Sequence, residues 1–338
     1  MKYIILIISF ALLLIARIEK KHNIKIYNFI LVILFTTLIV YSGFREFILP
    51  FDEIGKDYFQ YKDWFFIKNN INITSFSNIG FILLIKFLNI INGNYILLFV
   101  ISSFIILLGV FKFVLKNSKY FEVSIYIYIT LGFLLSGFNV IRQWIVCSIF
   151  LLAYEYIKSK DFKKYFVMIL FASTFHASGL FLIALYPVLN NNLKLYKRVL
   201  IIVILIILLT SSNFTMILLS NTKTIDNNFY SRYISGEYGS QSNYVVFYIA
   251  LINLIIILLN IKTYKKQHEY WNIEINYLML LCAFAFAAPT HIIYNRAVIY
   301  FMPALLVTIP NMIDLIKGKN RNIIYLVILT VFLIPYIL

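Results

Sequence analysis

An all-α, polytopic integral membrane protein is the fold class that this sequence predicts, and three observations predict it. Of its 338 residues 62% are hydrophobic, far above the roughly half-apolar composition of soluble domains. Apolar runs close to the roughly 20 residues that a helix needs to cross the hydrocarbon recur along the whole chain. The basic residues collect in the short stretches between those runs.

Ten runs read as crossing helices: 1–16, 25–44, 94–111, 120–138, 140–157, 199–219, 244–261, 275–289, 296–316 and 322–338. The first ends at "ARIEKK" with no small-residue cleavage pattern, so it reads as a retained helix and not a removed signal peptide. Between the second and third, "NIGFILLIKFLNIIN" (78–92) carries Lys86 and Asn89. It is too short to cross unaided and reads as an interfacial or re-entrant helix. Cys147 and Cys282 lie inside apolar runs and share no motif, which argues for buried thiols rather than a disulfide or a thiolate metal site. There is no internal repeat, low-complexity linker or second domain, so 1–338 reads as a single transmembrane domain.

Charge placement assigns the sides. The clusters at 17–25, 112–119, 158–164, 194–198, 262–266 and 317–321 hold 20 of the 30 basic residues, and the positive-inside rule puts all six in the cytoplasm. Passing from 158–164 to 194–198 on one side needs an even number of crossings. "KYFVMILFASTFHASGLFLIALYPVL" therefore divides into two short helices, about 164–175 and 177–189, with His176 at an outward vertex. The total is twelve crossings with both termini outside, an arrangement compatible with a GT-C-like fold. The outer face then comprises the loop 45–78, the turn near 139–142, the vertex at 176, the loop 220–243 and the turn 290–296. A net charge of +16 by itself suggests nucleic acid; its placement in membrane-flanking turns excludes that partner and points to the lipid bilayer.

Arginine does not follow lysine. Arg17, Arg198 and Arg321 fall inside, whereas Arg45, Arg142, Arg232 and Arg296 fall outside. Guanidinium offers planar, bidentate donors matched to phosphate and carboxylate, and it keeps its proton in a low-dielectric site. Converging outer arginines suit an anionic lipid head group, a diphosphate above all; snorkelling to the interface is the alternative. The stretch "YSGFREFILPFDEIGKDYFQYKDWFF" (41–66) adds Asp52, Glu53, Asp57 and Asp63 as candidate bases or metal ligands. Tyr58, Tyr61, Trp64, Phe65 and Phe66 offer faces on which sugar rings stack, or else an interfacial aromatic belt. His176 and His291 can exchange protons near neutral pH. An ionisable group at a helix break within the membrane usually faces a cavity or a partner, though a packed, hydrogen-bonded imidazole serves equally well.

Four segments in order resemble the EpsG family of Wzy-type polysaccharide polymerases, the integral membrane proteins of bacterial capsule, O-antigen and exopolysaccharide synthesis. "FREFILPFDEIGKDYFQYKDWF" is similar to the family's arginine followed by Gly-x-Asp-Tyr-x-x-Tyr. "NVIRQWIVCSIFLLAYEY" is similar to its Arg-Gln at a helix start, "FASTFHASGLFLIALYPV" to its Ala-x-x-x-His, and "NRAVIYFMPALLVTIP" to its Arg followed by Tyr-Phe and proline. The likeness spans most of 40 to 312. It departs at Lys56, where a small residue is more usual, and in the long spacing from Arg45 to Gly55.

The resemblance implies a glycosyltransferase joining oligosaccharide repeat units carried on undecaprenyl diphosphate, at the outer, periplasmic face of the bacterial cytoplasmic membrane. A hydroxyl of one lipid-linked unit attacks the anomeric carbon of another chain, and the lipid diphosphate leaves. Such chemistry needs a base and fixed cations for the leaving group. Asp57 is the first candidate base and His176 the second. Arg142 and Arg296, with Arg45 and Arg232, are the expected diphosphate clamp; Tyr58, Tyr61, Trp64, Gln143 and Tyr300 are the expected sugar contacts. No cofactor is required. Asp52, Glu53 and Asp57 can hold Mg²⁺ against a diphosphate, but the arginines make it unnecessary. A chain-length regulator and a flippase of the same pathway are the implied protein partners. Two other classes share parts of this pattern. A flippase of lipid-linked oligosaccharide also needs anion-binding arginines but should spread them along a path through the membrane. A membrane acyltransferase also uses histidine but needs an acyl-donor route from the cytoplasm, where the loops offer lysine-rich turns.

Overall fold

The structure is a computed structural model that describes residues 2–55, 57–67, 78–211, 244–316 and 320–337, and these are helical throughout apart from their turns. Arg232, the loop 220–243, residues 68–77, Lys56 and the end of the 199–219 run lie outside the described residues. Contacts group the chain into two compact units, Met1–Ala184 with Ile316–Leu338, and Leu185–Leu315.

The first unit begins with α1 (Lys2–His22) and α2 (Ile24–Gly43). They are joined at Asn23, whose side chain accepts the N–H groups of Lys25 and Ile26 and so caps α2. Two short elements, α3 (Arg45–Ile48) and α4 (Tyr58–Phe66), flank a 3-10 turn at Phe51–Glu53. Next come α5 (Ile79–Ile90), α6 (Tyr95–Asn117), α7 (Phe121–Thr130), α8 (Phe133–Asn139), α9 (Ile141–Lys158) and α10 (Phe162–Ser173). The C-terminal helix Asn320–Ile337 returns to this unit, where Tyr126 Oη donates to the Leu329 carbonyl at 2.8 Å.

Lipid tails are as apolar as leucine, so helices associate in a bilayer by close packing and hydrogen bonds rather than by hydrophobic exclusion. The α2, α6 and α9 stack is built that way. At Gly43 an added Cβ would stand 2.6 Å from Val100 Cγ2, and the Ser42 and Ser103 hydroxyls meet beside it at 2.7 Å. At the α6–α9 crossing a Cβ on Gly109 would stand 2.5 Å from the Ser148 carbonyl oxygen, while Ser148 Oγ donates to the Ile105 carbonyl at 2.5 Å.

The second unit contains α11 (Leu185–Leu189), α12 (Leu195–Thr210), α13 (Tyr244–Leu259), α14 (Ile261–Gln267), α15 (Trp271–Ala287), α16 (Ile292–Phe301) and α17 (Leu305–Met312). Helix α15 is buried along nearly its whole length and packs against α11, α12, α13, α16 and α17. Polar links tie its neighbours together: Asn253 Nδ2 donates to Thr308 Oγ1 at 2.6 Å, and Tyr277 Oη donates to the Tyr300 carbonyl at 2.5 Å.

By length and composition four helices can cross a membrane among the described residues, or six if each bent pair is one span. The chain is thus a polytopic membrane protein in character. The run 120–138 is broken by 50° at Gly132, whose φ of 74° is glycine's left-handed conformation. The run 244–261 extends into α14 through an 88° bend at Asn260. The segment expected as a short α-helix over 177–189 is wound as a 3-10 helix at Ala177–Ala184 before α11. A 3-10 helix rises about 2.0 Å per residue against 1.5 Å for an α-helix, so the tighter winding lengthens a short segment.

Gly109→Ala should destabilise the first unit by about 1–3 kcal/mol, the usual cost of overpacking. Ser148→Ala should not restore it, because the colliding carbonyl is backbone. Thermal unfolding of the two variants in detergent, alone and combined, measures both.

Candidate active site

The site is built on the segment that follows α2. Arg45, two residues past α2, opens α3 and is buried, only 1% exposed. Its Nη1 donates to the Ser42 carbonyl (2.7 Å), Nε to that of Ile54 (3.0 Å) and Nη2 to that of Phe138 (3.4 Å). The rings of Phe99, Tyr58 and Phe138 enclose it at 4.5, 4.8 and 5.0 Å. Burial lowers its pKa to about 10, which leaves it cationic at neutral pH. The segment 50–55 closes over this charge through Gly55. Its φ is +107°, and an added Cβ would lie 3.1 Å from the Phe138 carbonyl oxygen and 3.0 Å from Asn139 Oδ1. Only glycine meets both demands.

Beside Arg45 stands a second cluster. Glu46 Oε2 accepts the hydroxyls of Tyr58 and Tyr95, each at 2.7 Å, and Oε1 accepts Lys62 Nζ at 2.5 Å. Burial alone would raise the Glu46 carboxyl, but the hydrogen bonds of Lys62, Tyr58 and Tyr95 and the Lys62 charge outweigh it and hold the group below its usual range. Burial and the bond to Glu46 push the Tyr58 phenol up. Lys62 is drawn down by partial desolvation and up by its bonds to Glu46 and Tyr95, with a net rise. The cluster pins α4 to the start of α6.

Pinned in this way, α4 presents Tyr61 and Trp64 to the first turn of α9. The Arg142 guanidinium lies 4.8 Å from the Trp64 ring and 5.8 Å from Tyr61, and Nη1 donates to Asn78 Oδ1. No carboxylate pairs with Arg142 among the described residues, and its buried Nε has no partner there. Asn78 opens α5, and two residues on the Gly80 N–H donates to the Thr174 carbonyl at 2.9 Å. A Cβ on Gly80 would fall 2.5 Å from Thr174 Oγ1, so this too is a close backbone approach. His176 follows directly. Its Nδ1 accepts the Ser178 N–H at 3.3 Å and meets Ser178 Oγ at 2.7 Å, capping the 3-10 helix. The neutral ring then carries its proton on Nε2, a donor. One end of the first unit therefore gathers Arg142, Asn78, Trp64 and the 174–176 turn.

The other expected residues are placed as follows. Asp57 is half-buried, opens α4 and accepts the Tyr61 N–H at its carbonyl. Tyr58 and Tyr61 are buried, Tyr58 stacked on Phe99 at 4.3 Å, whereas Trp64 keeps part of its surface. Gln143 is buried on α9. In the second unit Tyr300 is buried, with its carbonyl bound by Tyr277, and Arg296 is half-buried on α16. His291 caps α16, its Nδ1 accepting the Ile293 N–H at 3.2 Å, and burial pushes its pKa down. Glu53 is half-buried in the 3-10 turn; no group of three or more His, Cys, Asp or Glu side chains is arranged to hold a metal among the described residues.

The EpsG family model matches residues 28–338. The chain belongs to the EpsG family. It is accordingly an EpsG-family membrane protein, linked to exopolysaccharide biosynthesis. No curated protein and no solved structure matches it. Sequence reasoning missed Asn78, Glu46 and Tyr95 in this EpsG-family site. Asn78 carried a faint signal, an amide before an apolar helical run; the Glu46 cluster carried none, since its members are separated by up to 49 residues.

His291 makes a pH prediction. A lowered folded-state pKa means that its contribution to stability is present above the unfolded value near 6.5 and is lost as pH falls through the folded value. His291→Asn keeps a capping acceptor without the titration. The loss of melting temperature between pH 7.5 and 5.5 should therefore be smaller in that variant than in the parent protein.

Proposed function

We propose that this EpsG-family protein polymerises undecaprenyl-diphosphate-linked oligosaccharide repeat units at the outer face of the bacterial cytoplasmic membrane, within a twelve-crossing topology that has both termini outside. The acceptor hydroxyl attacks the anomeric carbon, the bond from that carbon to the diphosphate oxygen breaks, the hydroxyl proton passes to a base, and the lipid diphosphate leaves.

Arg142 is the main support for this reading. It is a guanidinium without a paired carboxylate among the described residues, seated on Trp64 and steadied by Asn78 next to the His176 turn. A fixed cation of this kind is what charge developing on a departing diphosphate requires. Arg45 lies beneath the segment that carries Asp57 and acts from within, holding the loop and adding its field. Asp57 is the first candidate base and His176, at the turn beside Arg142, the second. Trp64, with its remaining exposed face, is the sugar platform; Tyr58, Tyr61 and Gln143 support it. Arg296, Tyr300 and Arg232 are proposed ligands on the strength of the family pattern.

Incubation of the purified protein with a defined lipid-linked repeat unit, followed by gel analysis for ladders, tests the activity. Lysine supplies a point charge in place of the bidentate fork. Arg142→Lys should therefore slow ladder formation by about 30- to 1,000-fold, corresponding to about 2–4 kcal/mol of transition-state stabilisation.

Asp57→Asn should slow polymerisation by about 100- to 10,000-fold while substrate binding survives, the pattern of a lost general base. Near-normal ladders from Asp57→Asn, with a folded but inactive His176→Gln, would move the base to His176.

A further inference from the structure

In the sequence Arg198 belongs to a lysine-rich cluster and reads as a topological anchor, yet its side chain is only 5% exposed. Nε donates to the Leu193 carbonyl (2.7 Å), Nη1 to Asn276 Oδ1 (3.1 Å), and Nη2 to Asn272 Oδ1 (2.6 Å) and Asn192 Oδ1 (3.3 Å). The cage is itself fixed, because Asn276 Nδ2 donates to the carbonyls of Val188, Leu189 and Asn191. All four acceptors of Arg198 are neutral, and no carboxylate reaches it among the described residues. A buried charge held only by neutral dipoles is expensive until a counter-ion arrives.

A second cation shares the place. Lys265 Nζ lies 4.2 Å from the Trp271 ring centroid, and the Arg198 guanidinium carbon lies 5.2 Å from the same centroid. Lys194 and Lys197 stand in the same turn of chain as Arg198. Next to the guanidinium is a cavity of about 40 Å³, lined by Arg198, Asn191 and Asn276 together with the apolar Ile201, Met279 and Leu280. Ile201 is 45% exposed, and its neighbours Leu200 and Ile204 are exposed with it. The lining thus joins an exposed apolar helix face to a guanidinium in the lysine-rich turn. A pocket of that composition matches one kind of molecule, an amphipathic anion.

We propose that this cavity binds an anionic glycerophospholipid of the lysine-rich leaflet, its phosphate between Arg198 and Lys265 and the first carbons of its chains against Ile201 and Met279. Among the described residues no aromatic ring lines the cavity, which leaves no stacking face for a sugar, so the occupant is a lipid without one. The site does not depend on the polymerase reading.

The test uses the full-length protein in neutral detergent, with native mass spectrometry for bound lipid and thermal unfolding for stabilisation. Phosphatidylglycerol should be retained and should raise the melting temperature, whereas phosphatidylcholine and inorganic phosphate should not. Arg198→Gln disturbs the amide cage as well as the charge, so two other variants carry the test. Lys265→Gln, at an exposed position, should weaken phosphatidylglycerol binding about fivefold, as expected for about 1 kcal/mol per basic residue at a lipid surface. Ile201→Trp should fill the cavity and abolish binding. Equal retention of phosphatidylglycerol and phosphatidylcholine, or unchanged binding in Ile201→Trp, would overturn the proposal. So would stabilisation by inorganic phosphate alone, or preference for a polyprenyl phosphate over phosphatidylglycerol.

Discussion

One end of the first unit hangs on one buried cation. Arg45 draws three backbone carbonyls from three separate places in the chain, the end of α2, the segment 50–55 and the end of α8, onto a single guanidinium. Each carbonyl would otherwise be an unsatisfied acceptor in or near hydrocarbon, a cost of several kcal/mol. The surrounding rings exclude water and strengthen the same contacts. Because the loop is drawn down on Arg45, Gly55 must approach Phe138 closely, α4 must start where it does, and Trp64 must arrive under Arg142.

Arginine has three different uses in this protein, and environment separates them. Arg45 is fully engaged inside the fold. Arg142 is seated on a ring and an amide but keeps its charge unpaired among the described residues, which suits it to an external anion. Arg198 is held by neutral amides beside a cavity that it lines with Ile201 and Met279. In Arg45 and Arg198 the planar fork matters more than the charge, since lysine cannot engage several acceptors in a fixed geometry.

Glycines and serines set how closely the scaffold packs. Gly43, Gly80 and Gly109 each stand where a side chain would meet a neighbouring residue within 2.6 Å, and the hydroxyls of Ser42, Ser103 and Ser148 bond across the same crossings. Tight crossings without large apolar side chains are how a bundle stays rigid when its solvent is oil. Rigidity here lets the α5 and α9 termini hold the Arg142–Asn78 pair in register with the His176 turn.

Much of this was legible in the sequence for a simple reason: hydropathy is local and adds up along the chain. The membrane class, the placement of most helices and the break at His176 all follow from residue types counted in order. So does the family, since its motifs are short. The destinations of the side chains were not legible. Arg45 and Arg142 look alike in sequence, each beside an apolar run, yet one closes on a carbonyl 93 residues away and the other stays available. The Glu46 cluster and the Arg198 cage likewise join residues separated by dozens of positions. Such partners are chosen by helix packing and by the need to satisfy every buried polar group, and those conditions exist only once the chain has folded.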